Sequence, residues 1–242
     1  MSKKITFKKY QTRSPDYHWQ QIRPNIFYFN AFVAARYQQV VDQIPTNKNL
    51  KILDIGCGDG VLLWLISQKT PAKLFGIDTD KSSLKLARSK LGDKAILKQA
   101  SAYQLPFKAR QFDIVIAAEV IEHLNQPPRM LQEIKRALKP SGRLIISTPI
   151  KLTSIPEDKM HVQEYTPQTA LSTLKPYFRK INLQLSHPYW LKKLYLITLF
   201  RIGNYHFNLF RFIINSWVLS THLNPFLLKG IKNTNQIAIC QK

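Results

Sequence analysis

Three glycines within five residues, standing at the end of a short apolar run, constrain this chain more than any other feature. Leu50, Ile52, Leu53 and Ile55 lead into Gly56-Cys57-Gly58-Asp59-Gly60, and an amphipathic run starts at Val61. The pattern predicts strand, tight turn and helix in immediate succession. Such a junction suits an anion or a nucleoside. Glycines let a ligand approach the backbone, and the N–H groups of a helix's first turn have no partner within the helix. The spacing departs from the dinucleotide fingerprint Gly-x-Gly-x-x-Gly, whose third position falls here on Val61, while the glycine stands at 60. Asp54 sits at the strand end, two residues before the first glycine.

Leu74-Phe-Gly-Ile-Asp78 is a second apolar run, and it ends in a carboxylate 20 residues beyond Gly58. A carboxylate there can accept both ribose hydroxyls of a nucleoside lying across the strand ends; otherwise it is an ordinary strand-end cap. Thr79 lies at the same edge, and Asp80 is suited to cap the basic helix that runs to Leu91. Residues 95–100 and 112–117 read as third and fourth strands, and Pro127 to Leu138 as the next helix.

Asp54-x-Gly56-x-Gly58-x-Gly60 resembles motif I of the class I S-adenosylmethionine (SAM)-dependent methyltransferases. Ser101-Ala-Tyr-Gln-Leu-Pro-Phe107 is similar to the adenine-flanking Asp-Ala-x-x-Leu-Pro-Phe of that family, and Leu138-Lys-Pro-Ser-Gly-Arg-Leu-Ile-Ile-Ser147 to its Leu-Lys-Pro-Gly-Gly turn and fifth strand. The resemblance spans about residues 48–150. It implies an α/β fold, a doubly wound seven-stranded Rossmann-like sheet with the cofactor at the switch point, and SAM as that cofactor. On this resemblance Asp54, Gly56, Cys57, Gly58 and Gly60 surround the methionine part, Asp78 and Thr79 the ribose, and Ser101 and Ala102 the adenine, with Glu119 close by. Cys57 reads equally as a small residue in a tight loop. Ser101 replaces the acid that usually binds the adenine amino group, so that contact falls to a backbone carbonyl or to Gln99.

Glu119-Val-Ile-Glu122-His123 follows the fourth strand. If the segment begins a helical turn, positions i, i+3 and i+4 share one face and two carboxylates converge with an imidazole. His161, after the fifth strand, is the candidate fourth ligand. The segment resembles two families that use such a cluster with a divalent ion: ubiquinone-pathway O-methyltransferases and small-RNA 3′-terminal 2′-O-methyltransferases. In both the metal, here Mg2+, gathers neighbouring oxygens of the acceptor and lowers the pKa of the attacking hydroxyl. The second family carries a later His-x-x-His pair where this chain has His161 and Glu164. Without metal, Glu119 orients backbone beside the cofactor, and His123 and His161 are the candidates for a catalytic base.

The net charge of +22 over 242 residues bears on partners, with nucleic acid and an anionic membrane as the obvious counterparts. Residues 1–24 form a basic arm with interleaved aromatics, suited to RNA, to acidic lipid or, through Tyr17 and Trp19, to folding over the active site. Asn25 to Val41 has helical periodicity and is expected to lid the pocket. From Tyr165 to Lys242 there is no Asp or Glu against ten Lys or Arg. Ile181 to Ser186 reads as a sixth strand and Asn235 to Cys240 as a seventh, antiparallel at the edge of the sheet. Between them Phe207, Phe210, Ile214, Trp217 and Val218 are expected to form an apolar face opposite Asn208, Arg211 and Asn215. That segment fits a membrane interface, a cap on the substrate pocket, or a dimer contact.

Two cysteines, Cys57 and Cys240, make no disulfide framework, and no apolar run follows Met1-Ser-Lys-Lys, so a cytoplasmic protein is expected, peripheral to membrane if the late segment docks there. The expected organisation is a basic arm and lid helix (1–44), a SAM-binding core (45–187), an apolar and basic helical insertion (188–232) and a final core strand (233–242). The expected function is SAM-dependent O-methylation of an apolar or lipid-like small molecule at a membrane surface. The alternatives are RNA 2′-O-methylation and a non-catalytic SAM-binding module.

Overall fold

The computed structural model describes residues 16–242 other than 48, 157, 203 and 204, and of 200–202 and 205–207 the backbone alone. Residues 1–15 of the expected basic arm lie outside the described residues. Nine strands are described in chain order: β1 (Lys51–Ile55), β2 (Lys73–Asp78), β3 (Ala95–Gln99), β4 (Phe112–Ala118), β5 (Leu138–Pro149), β6 (Lys180–Pro188), β7 (Phe200–Ile202), β8 (Tyr205–Phe207) and β9 (Asn233–Gln241). Seven of them form one sheet in the order β3-β2-β1-β4-β5-β9-β6, and β7 and β8 make a separate hairpin.

The pairs among β1 to β5 are parallel, and β9 is antiparallel to both of its neighbours. The expectation of an antiparallel last strand at the edge is therefore corrected. β9 lies inside, and β6 is the edge. The reason is burial: eight of the nine β9 residues are shielded to some degree, and Asn235 and Gln236 bond inward to Gln39 and to the Tyr165 carbonyl, whereas β6 leaves Lys180 and Asn182 in solvent.

Helices cover both faces, as parallel strands require. Within β1 successive side chains point to opposite sides. Leu53 and Ile55 join Phe75, Ile77 and the inner stripe Met130, Leu131 and Ile134 of α5 (Pro127–Ala137), once the earlier helices are numbered α1 (Tyr17–Ile22), α2 (Ala31–Asp42), α3 (Val61–Lys69) and α4 (Lys81–Leu91). Ile52 faces the other way, onto Leu63 and Ile66 of α3, Leu84 of α4 and Val40 of α2. Asp80 caps α4 by accepting the Ser83 N–H, and Pro127 opens α5 where a missing N–H costs nothing. Then come α6 (Pro167–Leu174), α7 (Tyr189–Leu196) and α8 (Leu209–Thr221).

The insertion builds a third core with α2, in which Leu191, Tyr195, Val218 and Phe226 meet Phe29, Ala31 and Ala35. The expected faces of α8 are corrected here. Asn215, expected opposite Val218, is buried beside it at 1% exposure, and Trp217, expected on one face with Val218, is 54% exposed. Asn215 is inside because its amide serves backbone: Nδ2 donates to the Phe29 carbonyl at 2.8 Å, and Oδ1 accepts from the Tyr195 hydroxyl at 2.8 Å and from the Ala31 N–H at 3.3 Å. No helix among the described residues is long and apolar enough to cross a membrane.

Candidate active site

A cleft of about 470 Å³ opens at the carboxyl ends of β1, β2 and β4, within the size range of small-molecule sites. One wall is the glycine loop. Gly56, Gly58 and Gly60 all have positive φ, and a Cβ at Gly56 would lie 2.7 Å from Val120 Cγ2, so the loop needs glycine for both backbone and space. Gly56, Cys57 and Gly58 border the cleft, while Gly60 does not; it starts α3 at φ +83 and lets that helix approach Ala87 and Leu91.

Four of the loop's five backbone donors are used within the protein. Gly56 and Cys57 N–H both donate to the Ile77 carbonyl, Gly58 N–H to Asp78 and Gly60 N–H to the Cys57 carbonyl. What faces the cleft is acidic: Asp54, Asp59, Asp78, Glu119 and Glu122. Among the described residues Arg36 is the one Lys or Arg that borders it. A pyrophosphate finds little of the positive charge it needs, whereas a cationic nucleoside meets countercharge.

Asp78 is held at both oxygens, by Gly58 N–H at 2.9 Å and Asp80 N–H at 2.8 Å. Burial pushes its carboxyl up and the backbone donors oppose this. Burial, then the Asp78 charge, pushes Asp54 well up, and burial does the same to the Cys57 thiol, which points at Gly76 in the core rather than acting as a nucleophile. Thr79, Ser101 and Ala102 line the adjoining wall. Gln99 does not border the cleft, and its amide donates to the Thr79 carbonyl, so the suggested adenine contact falls away.

The opposite wall carries the groups after β4. Glu119 adopts φ +55, its N–H bonded to the Ser147 carbonyl, and only Ile121 to His123 form a short 3-10 turn. Glu119 therefore stands apart from the helical face expected for it, and its carboxylate pairs with Arg36 at 2.9 Å and accepts from Ser147 Oγ at 3.0 Å. Glu122, His123 and His161 do come together, with one ligand atom of each lying within 4.8 Å of the others. Glu122 is 0% exposed, its Oε2 accepts from Thr148 and its Oε1 has no hydrogen-bond partner. Burial, then the Glu119 charge, holds its carboxyl well above the usual range. His123 Nδ1 lies 3.0 Å from the Met160 carbonyl, which can only accept, so Nδ1 carries the proton and Nε2 the lone pair. His161 Nδ1 donates to the Glu164 carboxylate at 2.7 Å.

Residues 53–146 match the family model of the methyltransferase domain. That match covers the glycine loop, Asp78 and the Glu122–His123 turn, on a sheet whose strand order is the one that family builds. The chain carries a class I SAM-dependent methyltransferase domain. The methyl donor that goes with this domain is SAM, and the acidic cleft fits its sulfonium and ammonium charges. Among relatives, the chain is 34% identical over 124 residues to a ubiquinone biosynthesis O-methyltransferase of Dinoroseobacter shibae, covering 50% of each chain. It is 33% identical over 117 residues to a demethylmenaquinone methyltransferase of Lactiplantibacillus plantarum, covering 45% of this chain and 48% of that one. The chain spans about half the length of the curated relatives it matches. A solved phosphoethanolamine N-methyltransferase 2 of Haemonchus contortus, in complex with SAM, shares the fold at a TM-score of 0.64 and 16% identity, covering 98% of this chain and 60% of that one.

Sequence inspection missed Arg36 and His18, while Tyr37 and Trp19 lie in segments expected to cover the site. Arg36 and Tyr37 enter from α2, and His18 and Trp19 of α1 bind the loop: His18 Nδ1 lies 3.1 Å from Asp59 Oδ2, and Trp19 Nε1 donates to the Asp59 carbonyl. The visible signal was a charged Arg36 within an otherwise apolar run. The insertion, by contrast, contributes no described residue to the cleft.

Proposed function

We propose that this protein transfers the methyl group of SAM to an oxygen of an apolar or lipid-like small molecule gathered at a membrane surface. The observation that supports this best is the meeting, in one cleft, of the Asp78–Gly58 wall with the Glu122, His123 and His161 cluster. When bound, SAM supplies a methyl already made electrophilic by its sulfonium. The residues then have to align the acceptor and keep water out. Asp78 holds the ribose hydroxyls, Asp54 the ammonium end, Arg36 the methionyl carboxylate, and Ser101 and Ala102 border the adenine. α1, strapped across Asp59, closes the cleft over the loop.

On the acceptor side, His161 is oriented by Glu164 and takes the hydroxyl proton at Nε2, with His123 beside it at a ring separation of 5.0 Å. A second arrangement is favoured by the orphaned Glu122 Oε1: Glu122, His123 and His161 would hold a divalent cation such as Mg2+, with Glu119 left to Arg36. Such an ion would supply the positive charge that lowers the pKa of the acceptor hydroxyl. Quinone-pathway names among the relatives agree with an apolar ring acceptor.

Incubation with methyl-labelled SAM and a cell extract, followed by partition, tests the acceptor class. Label in the organic phase is expected. Label in RNA would replace the acceptor, and SAM binding without transfer to any pool would leave a binding module. Loss of activity in chelator, regained with magnesium, selects the cation arrangement over the bare histidine base.

A further inference from the structure

α8 has two apolar sides, and only one is used. Ile214, Val218 and Leu219 pack inward around Asn215. Leu209, Phe212, Ile213 and Trp217, spaced i, i+3, i+4 and i+8, form a stripe on the other side and are 36%, 41%, 51% and 54% exposed. Trp190 and Leu196 of α7 and Leu223 and Leu228 after α8 are exposed as well, as are Phe27 and Tyr28, in the turn whose Ile26 and Phe29 carbonyls Asn215 holds. Monomeric surfaces rarely collect so many large apolar groups in one region.

Charge says what covers this face. Residues 188–232 hold six Lys or Arg and no Asp or Glu, and residues 25–41, on which the insertion packs, hold no acid either. Lys193, Lys229 and Lys232 are exposed in the same insertion, Lys193 and Lys232 over the Tyr189 ring. A protein interface built this way would leave the cations without countercharge unless its partner were acidic throughout. An anionic lipid headgroup layer over hydrocarbon supplies both halves at once.

We infer that the outward stripe of α8, with the exposed lysines of the same insertion, seats the protein on an anionic bilayer. The inference deepens the function proposed above and rests on it for its purpose. α8 lies in the interface plane with Phe212, Ile213 and Trp217 below the headgroups. Its inward side then ties the bilayer to the cleft, because Asn215 and Tyr195 hold the Ala31 N–H and Asn224 the Ala31 carbonyl at the start of α2, the helix that carries Val33, Arg36 and Tyr37 into the cleft wall. An acceptor dissolved in the bilayer is met by a lid helix whose position the docked insertion fixes.

Flotation of the full chain through a density gradient tests this. With vesicles of phosphatidylcholine and phosphatidylglycerol the protein should float, and with phosphatidylcholine alone it should stay at the bottom. The double variant Phe212→Glu/Trp217→Glu should not float, while its melting temperature and its SAM affinity match the parent. Lys229→Glu/Lys232→Glu should weaken binding by about tenfold or more, and added salt should weaken it further. Failure to float, equal flotation on neutral vesicles, or flotation of the folded Phe212/Trp217 variant would overturn the inference. So would a parent dimer that the same variant makes monomeric, because the face would then belong to a second copy. Flotation without any methyl transfer would spare this surface and sink the proposed reaction; transfer to an acceptor without flotation would do the reverse.

Discussion

Asp78 Oδ2 accepts the backbone N–H of Gly58 at 2.9 Å, so the carboxylate at the end of β2 is locked to the middle of the glycine loop before any ligand arrives. Its other oxygen is held by Asp80 N–H. A carboxylate has about four lone-pair positions, and two remain for a pair of ribose hydroxyls. Preorganisation of this kind costs the ligand little on binding.

Asp78→Asn should therefore raise the SAM dissociation constant by about 10- to 100-fold, the loss of charge-assisted hydrogen bonds. The asparagine can accept from Gly58 or from Asp80 but not from both. Calorimetric titration reads the change directly, and an unchanged constant would remove Asp78 from the ribose.

SAM affinity should fall as pH is lowered. Burial, and then Asp78, holds the Asp54 carboxyl of the ligand-free protein well above its usual range, so part of the population is protonated where a surface aspartate would not be. A cationic ligand favours the ionised form and expels that proton. Affinity is full above the raised pKa and declines as pH drops through it. Titration in two buffers of different ionisation enthalpy should show proton release, and Asp54→Asn should show none.

Glu122→Gln should stabilise the ligand-free, metal-free protein at neutral pH by about 1 kcal/mol, or roughly 2–4 °C in melting temperature. The folded pKa of Glu122 is raised, so its contribution is favourable below the unfolded value and is lost as pH rises through the folded value. The advantage of Gln should therefore grow with pH and vanish in acid. A flat difference across pH would mean that the carboxyl is not the source.

Gly56→Ala should cost about 2–4 kcal/mol, part from the positive φ and part from the contact with Val120. Adding Val120→Ala should restore the contact part and leave the backbone part. Denaturant melts of the three variants separate the two, and no recovery in the double variant would put the whole cost in the backbone.

Glu164→Gln should lower kcat by about 10- to 100-fold while leaving KM for SAM unchanged, because Glu164 holds the His161 ring and does not border the cleft. A matching rise in KM with kcat intact would assign it to binding instead.

Much of the core was legible in order along the chain. The run Ile52 to Ile55, the glycines and Asp78 lie within 30 residues, and local backbone rules plus period-2 burial suffice to set strand, turn, helix and strand end. The position of β9 was not legible, because alternation tells which face a strand buries and says nothing about which neighbours it takes. The sides of α8 were misjudged for a related reason. Asparagine counts as polar, yet Asn215 sits in the core because unpaired backbone groups at Phe29 and Ala31 needed it there.

The sequence by itself determined the strand, the bend at 56–60 and the acid at 78, features carried by neighbours in the chain, and the doubly wound sheet was implied by the family resemblance. Only the tertiary structure decided that β9 lies inside the sheet, that Arg36 enters from α2 to take Glu119 out of the cluster, and that His161, nominated by the sequence, meets Glu122 and His123 without Glu119. The physical reason is that a side chain's partner depends on which distant segment is packed opposite it, and that is settled by burial and hydrogen-bond satisfaction over the whole molecule, which no local spacing records.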